Sequence, residues 1–291
     1  MIKSLLISIR PKQWLKNLIV YAGIVFSLRL FVLGDLLKVS SAFLLFCLVT
    51  STIYLLNDLV DRASDRLHPK KKLRPLASGQ LSPTVAIIAI VVLLPFSLWL
   101  SFLLGLKFAA IVGAYYLMMF GYVFGLKKMV IVDAFIIAAG YVLRGVAGVE
   151  VINIDMSPWF LVCASLLALF IVFCKRRHEL MLLGEGADRH RASLKGYGTV
   201  FLDQLIAIVT AAVIVTYSLY TLAPETVLKF NTQRLILTVP FVLFGLFRFL
   251  YLVYNEDEGG SAETIMLTDW PLILTMFGWL AAVLMILYAR F

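Results

Sequence analysis

Long apolar stretches alternate with short polar segments along almost the whole chain. A helix needs about 20 mostly apolar residues to cross a bilayer, and nine stretches reach that length. No alternation of apolar and polar positions predicts a strand. We therefore predict an all-α fold: a polytopic transmembrane helical bundle of about nine spans, in one domain over residues 1–291. The predicted spans are 14–33, 39–58, 83–104, 107–126, 130–149, 157–175, 201–222, 233–254 and 270–289.

Two Ser-Pro pairs mark predicted helix starts. Ser82 and Ser157 each precede a proline and an apolar run. A serine can cap the first turn of a helix, and proline is favoured at the first helical position. The third and sixth spans are therefore expected to begin at Pro83 and Pro158.

The composition excludes an ordinary soluble protein. Hydrophobic residues make up 62% of the chain and charged residues 15%, whereas a soluble domain has about 45–50% and about 25%. The net charge of +9 comes mainly from short loops between spans. This is typical of a membrane protein with positive cytoplasmic loops, so we expect the lipid bilayer and no nucleic acid as a partner. The sequence makes no prediction of oligomeric state.

Lysine and arginine predict the orientation in the membrane. With the N-terminus in the cytoplasm, eighteen of them lie on the cytoplasmic side and six on the other, and two lie within spans. Such a bias predicts a cytoplasmic N-terminus in the plasma (inner) membrane. The two largest cytoplasmic loops follow the second and sixth spans, which suggests two pseudo-equivalent units.

Four polar residues close the second span: Asn57, Asp58, Asp61 and Asp65. On a continuous helix the three aspartates fall within an arc of about 60°. Carboxylates at a membrane boundary need a compensating positive charge, and three of them suit a divalent cation. We therefore predict that the three aspartates bind a metal and act in catalysis, and that Asn57 binds substrate. The alternative is ordinary helical salt bridges to nearby arginines.

A basic loop follows these acids directly. His68, Lys71 and Arg74 lie in a proline-containing segment that we expect to bind phosphate oxygens. The alternative is a loop whose charges only fix topology.

Two further groups of polar residues lie in other spans. Lys16 and Asn17 form a polar face as the first span begins, and they could bind substrate or anchor the helix at the interface. Arg144 lies inside the fifth span, where a charge almost always faces the protein interior. It could face substrate or pair with an acid. Asp133 is on the same face but about 16 Å away along the axis.

The end of the sixth span carries a cationic cluster. Lys175, Arg176 and Arg177 are followed by Glu179 and, further on, Tyr197. We expect a second anion site here, and a stop-transfer cluster is the alternative.

Several motifs together resemble the UbiA superfamily of intramembrane prenyltransferases. These are the Arg-Pro-Lys-Gln-Trp-Leu-Lys-Asn segment 10–17, Asn-Asp-x-x-Asp-x-x-x-Asp at 57–65, His-Pro-x-Lys-x-x-Arg-Pro at 68–75, Leu-Arg-x-x-Ala-Gly at 143–148 and Lys-Arg-Arg-x-Glu-Leu at 175–180. The resemblance implies that the acids bind Mg²⁺ and a diphosphate at the cytoplasmic mouth of the bundle. The finer pattern is similar to a branch that transfers phosphoribosyl groups to polyprenyl phosphates.

One departure from the wider superfamily favours that branch. Prenyltransferases usually carry a second Asp-x-x-x-Asp after the sixth span, and this chain has none. We therefore expect phosphoribosyl diphosphate as donor, a polyprenyl phosphate as acceptor and Mg²⁺ as cofactor. A prenyl diphosphate donor with an aromatic or quinone-precursor acceptor is the alternative within the family. A transporter or lipid-binding membrane protein is a further alternative, but acids on a transport route should recur at the bilayer midplane.

Overall fold

The computed structural model describes residues 2–183, 192–255, 265 and 268–289, and the secondary structure in these ranges is helical. Within the described residues the α-helices are α1 (Ile2–Ser8), α2 (Ala22–Phe26), α3 (Leu33–Val60), α4 (Arg62–Leu67), α5 (Pro75–Ser78), α6 (Pro83–Leu103), α7 (Leu106–Phe124), α8 (Val132–Glu150), α9 (Pro158–Leu183), α10 (Thr199–Leu222), α11 (Pro224–Phe230), α12 (Val239–Asn255) and α13 (Trp270–Tyr288). Short 3-10 helices cover Pro11–Tyr21, Lys71–Leu73, Leu126–Lys128, Ala192–Gly196 and Arg234–Thr238.

Eight helices in the described residues are long and apolar enough to cross a membrane. They correspond to eight of the nine predicted spans, and the predicted starts at Pro83 and Pro158 are confirmed. The Ser82 hydroxyl accepts a hydrogen bond from the Val85 backbone N–H, as a helix cap should.

The predicted first span differs from a regular α-helix. Pro11–Tyr21 is a 3-10 helix, and Ala22–Phe26 continues it as a short α-helix. A 3-10 helix rises about 2 Å per residue, so these two pieces together cover about 30 Å, the thickness of a hydrocarbon core. Close packing against α8 accompanies this geometry. A Cβ on Gly148 would lie 2.0 Å from the Val20 carbonyl oxygen, so only glycine fits there.

The described residues group into two compact units. The first comprises 2–156 and 192–196. The second comprises 157–183 and the described residues from 197 onward. The single-domain prediction therefore stays a prediction.

The core of the first unit forms where α3, α7 and α8 pack together with the 3-10 helix Pro11–Tyr21. Phe46 of α3 makes edge-on contacts with Phe108 and Tyr115 of α7. Such aromatic pairs add about 0.5–1.5 kcal/mol beyond the burial of their area. These contacts fix α3, and with it the acidic residues at its end.

In the second unit, α9 packs along α10, and α12 packs along α13. The Tyr217 hydroxyl bonds with Thr238 at 2.7 Å and accepts the Trp279 indole N–H at 2.8 Å. Arg248 of α12 donates to Asp269, which also caps α13 through the Leu272 N–H. Polar contacts therefore tie three helices of this unit together.

Candidate active site

The predicted acidic motif lies where α3 ends. The helix stops at Val60, and Asp61 stands between α3 and α4 with φ −87° and ψ 5°. Backbone bonds from Asp61 to Asn57 and from Asp65 to Asp61 keep a near-helical spacing. Asp58 and Asp65 are buried, with 2% and 4% of their surface exposed.

Two of the three carboxylates share one arginine. Arg74 Nη1 lies 3.0 Å from Asp58 Oδ1 and 2.7 Å from Asp65 Oδ2. Arg10 Nη2 also contacts Asp58 Oδ1, and its guanidinium lies 5.0 Å from the centre of the Tyr54 ring. Two buried carboxylates thus converge on one centre of positive charge, which compensates the cost of burying them.

The third carboxylate has a different partner. Lys127 Nζ lies 2.5 Å from Asp61 Oδ1 and 3.2 Å from Asn57 Oδ1. No three His, Cys, Asp or Glu side chains in the described part of the chain form a metal-binding group. The prediction that all three aspartates surround one cation stays a prediction. Asp61 joins the two helices, and its contact with Lys127 sets it apart from Asp58 and Asp65.

Burial changes the acidity of Asp65. Desolvation raises the pKa of its carboxyl above the usual range, and the nearby Arg74 and Lys71 oppose the rise. A raised pKa means that the charged form is costly at this position. A positive charge that binds beside Asp65 therefore stabilises the charged form of its carboxyl group.

Backbone contacts shape the basic loop. His68 is buried, and its Nδ1 accepts the backbone N–H groups of Lys70 at 3.1 Å and Lys71 at 3.3 Å. The ring is therefore a neutral tautomer with its proton on Nε2. Its Nδ1 holds the loop that carries Lys71 and Arg74. Substrate binding by His68 stays a prediction.

The arginines next to the acids bond elsewhere. Arg62 Nε donates to the Leu76 carbonyl and Arg66 Nε to the Ala77 carbonyl, each at 3.1 Å. Ordinary helical salt bridges to these arginines therefore do not explain the acidic motif. The cations that contact it are Arg74 of the following loop and, from distant positions in the sequence, Arg10 and Lys127.

Deeper in the first unit lies a second polar group. Arg144 is 5% exposed, and Asn17 is fully buried. Arg144 donates through Nε to the Gly140 carbonyl at 2.8 Å and through Nη1 to Asn17 Oδ1 at 3.1 Å. Lys16, the other residue predicted on this face, is half-buried in the same 3-10 helix.

Among its contacts with described residues, Arg144 has no carboxylate. Its guanidinium lies 4.4 Å from the centre of the Tyr141 ring and 5.9 Å from that of Tyr115. Asp133 contacts Ser193 at 3.3 Å instead. The distance along the helix already argued against an ion pair between Arg144 and Asp133, and these contacts do not include one.

The cationic cluster of the sixth span lies in the second unit. Arg177 donates to Asp203 at 2.6 Å and lies 3.9 Å from the centre of the Tyr254 ring, so it joins α9, α10 and α12. Arg176 is buried and contacts Glu179 on the same helix. These contacts give Arg177 a structural role within its unit. The sequence alone predicts only that it binds an anion.

The remaining two residues of this prediction also lie in the second unit. Lys175 is half-buried near the end of α9. Tyr197 is buried and stacks on Phe201 at 6.4 Å. Substrate binding by these two residues stays a prediction.

Two residues at the acidic site were absent from the predicted set. Arg10 begins the 10–17 motif, and Lys127 lies between the fourth and fifth predicted spans. Both contact an aspartate across long sequence separations. Only the excess of carboxylates over nearby cations at 57–65 signalled that distant cations were needed.

The donor set fits a hard divalent cation. Carboxylate oxygens are the ligands that Mg²⁺ prefers, and it commonly binds through one or two of them together with substrate phosphates. Asp58 and Asp65 place their oxygens around one nitrogen of Arg74. The two buried carboxylates thus already converge on a single positive charge.

The chain has clear relatives. The UbiA prenyltransferase family model matches residues 18–268. A decaprenyl-phosphate phosphoribosyltransferase from Corynebacterium glutamicum is 33% identical over 299 residues, which cover 99% of this chain and 86% of the relative. A protein of the same name from Mycobacterium tuberculosis is 33% identical over 282 residues, which cover 95% and 91%.

Solved structures agree on the fold. A UbiA homolog from Archaeoglobus fulgidus bound to GPP and Mg²⁺ has a TM-score of 0.76 at 19% identity, and the match covers 98% of this chain and 99% of the homolog. The fold and the family assignment from motifs are thus confirmed by independent comparisons. The chain belongs to the UbiA prenyltransferase family.

Proposed function

We propose that the chain transfers 5-phosphoribose from phosphoribosyl diphosphate to a polyprenyl phosphate and releases pyrophosphate. The relatives that match almost the whole chain carry the name of this activity. The observation that carries the proposal is the convergence of Asp58, Asp65 and Arg74. It supports the proposal because two carboxylates that could bind a metal and a cation that could bind phosphate lie within one hydrogen bond of each other.

Asp58 and Asp65 would hold Mg²⁺, with Asp61 and Asn57 beside them. When bound, this ion neutralises charge that develops on the leaving diphosphate. Arg10, Arg74 and Lys127 supply charge-assisted donors for the diphosphate oxygens, because each already contacts one of these carboxylates. Held in this way, the diphosphate is both oriented and stabilised as it departs.

No general base is needed for this transfer. The attacking oxygen belongs to a phosphate that is already anionic at neutral pH. The bond from the ribose C1 to the diphosphate oxygen breaks, and a bond from C1 to the lipid phosphate oxygen forms. The role of the protein is therefore to position two anions and to stabilise the departing one.

The remaining predicted residues are candidates for the other anions. Lys71 lies on the loop that His68 shapes and would extend the phosphate site. Arg144, the Lys175–Arg177 cluster and Lys16 are separate candidates for binding the lipid phosphate or the ribose 5-phosphate. We further infer a cytoplasmic N-terminus in the plasma membrane from the eighteen-to-six distribution of lysine and arginine. The lipid tail would then lie in an apolar groove open to the bilayer.

A prenyl diphosphate donor is the second candidate. Solved structures of a UbiA homolog from Archaeoglobus fulgidus are bound to GPP in one case and DMAPP in another, which favours it. The missing second Asp-x-x-x-Asp in the sequence argues against it.

One experiment separates the two. Purified protein is incubated with Mg²⁺, labelled phosphoribosyl diphosphate and polyprenyl phosphate, and in parallel with labelled prenyl diphosphate and an aromatic acid. We expect label in the lipid product of the first mixture only. Product from the second mixture alone would contradict the proposal.

A further inference from the structure

The side chain of Arg144 lies well inside the bundle. Its Nε donates a hydrogen bond to the Gly140 carbonyl. Gly140 is eight residues beyond Val132, where α8 begins. Arginine side chains on helices lean toward the helix N-terminus, as this contact shows. At 1.5 Å per residue, the guanidinium lies about 12 Å along α8 from its start.

Helix α3 gives the same depth. Asn17 accepts from Arg144 and donates to Thr50 Oγ1 at 3.4 Å. Thr50 precedes Asp58 by eight residues on the continuous helix α3, a separation of about 12 Å along its axis. The guanidinium therefore lies about 12 Å deeper than the carboxylates of the diphosphate site.

The charge of Arg144 is only partly compensated. Among the described residues, its hydrogen bonds go to one amide oxygen and one backbone carbonyl, and both are neutral. The faces of Tyr141 and Tyr115 add cation–π contacts. A buried guanidinium has five N–H donors and is costly without an anion. This side chain, 5% exposed, therefore points to an anionic ligand.

The depth limits which anion this can be. The diphosphate binds at the acidic site, and phosphoribosyl diphosphate carries a second phosphate at the other end of its ribose. The length of this donor, plus a metal bond at one end and a hydrogen bond at the other, is comparable to the separation of the two sites. A prenyl diphosphate would place apolar carbons there. The phosphate of the lipid acceptor belongs at headgroup depth, near the carboxylates.

Resting on the proposed function, we propose that Arg144 binds the 5-phosphate of the donor and thereby selects phosphoribosyl diphosphate over a prenyl diphosphate. Asn17 is a positioning residue, because it holds Nη1 of Arg144 and is itself held by Cys47 and Thr50 of α3. The same two residues thus explain a buried charge and a donor preference.

The test compares two donors in the wild-type protein and in R144Q. One donor is phosphoribosyl diphosphate, and the other is ribosyl 1-diphosphate, which lacks the 5-phosphate. Wild type should prefer the full donor roughly 10- to 100-fold in kcat/KM, the value of one charge-assisted contact. R144Q should lose that factor for the full donor and change by less than about twofold for the shortened one, since the contact is already absent there.

Controls separate this role from a structural one. R144K keeps the charge and should keep part of the preference for phosphoribosyl diphosphate. If R144Q does not fold, R144K provides the test. R248Q removes an arginine that pairs with Asp269 in the second unit, and it should leave the preference unchanged. Direct binding of both donors in the presence of Mg²⁺ but without lipid gives a second readout.

Each result decides something different. Equal losses for both donors in R144Q would overturn the inference and leave Arg144 as a structural residue. Equal use of both donors by wild type would overturn it as well. If wild type transfers no phosphoribosyl group at all, the proposed function itself fails.

Discussion

Lys127 Nζ lies 2.5 Å from the Asp61 carboxylate, although 66 residues separate the two in sequence. Lys127 belongs to the short 3-10 helix Leu126–Lys128 between α7 and α8. Its side chain is only 14% exposed, so the pair is more than a surface contact. The turn between α7 and α8 thus places the Lys127 ammonium group at the end of α3.

This relationship predicts a role for Lys127 in donor binding. K127A should lower kcat/KM for phosphoribosyl diphosphate roughly 10- to 100-fold, because a charge-assisted contact to the diphosphate is lost. K128A is the matched control, since Lys128 is exposed in the same turn. Equal kinetics of the two variants would show that Lys127 only helps to fix the orientation of the chain in the membrane.

His68 offers a test of how the loop is shaped. H68A removes the acceptor for two backbone N–H groups and should raise KM for the donor several-fold, because Lys71 and Arg74 lose their fixed positions. H68N supplies an amide oxygen as a replacement acceptor and should retain most of the affinity. An unchanged KM in H68A would contradict this role.

The acidic motif shows how much the sequence could predict. Three acids at the end of an apolar run are costly in any fold, so their position in the sequence makes Asp58, Asp61 and Asp65 a candidate site. Arg74 belongs to the predicted basic loop, but Arg10 and Lys127 could not be predicted as partners, because they reach the acids through tertiary packing. The break at Asp61 also escaped helical periodicity, which assumes that the helix continues.

The first span shows a second limit. Apolar length predicts that a segment crosses the membrane, but it does not distinguish a 3-10 helix from an α-helix. Here the close approach of Gly148 to Val20 accompanies the narrower helix. Such a contact between distant segments has no local signature, whereas the cap at Ser82 depends only on its neighbours and was predicted correctly.

Asp269 gives a prediction of pH dependence for the second unit. Hydrogen bonds from Arg248 hold the pKa of its carboxyl below the usual value of 3.8. A group with a lowered pKa in the folded state stabilises the fold above its usual pKa, and this stability is lost as the pH falls through the lowered value. The wild type should therefore lose this contribution only below about pH 4.

Substitutions at this position separate charge from capping. D269N keeps an oxygen that can cap α13 but removes the ion pair, so it should cost about 1 kcal/mol at neutral pH. The difference from wild type should shrink below the usual pKa of aspartate. D269A should cost more, because the cap is lost too. Thermal unfolding in detergent at several pH values measures both, and a pH-independent difference for D269N would contradict the ion-pair role.

The central claim is that Asp58 and Asp65 hold a divalent cation together with the donor diphosphate. Its most direct test is a titration of the purified protein with Mn²⁺, followed by electron paramagnetic resonance, with and without phosphoribosyl diphosphate. We predict one site whose affinity rises when the donor is present and falls at least roughly tenfold in D58N and D65N, as loss of a charged ligand should produce. Wild-type affinity in both variants, with and without donor, would contradict the claim.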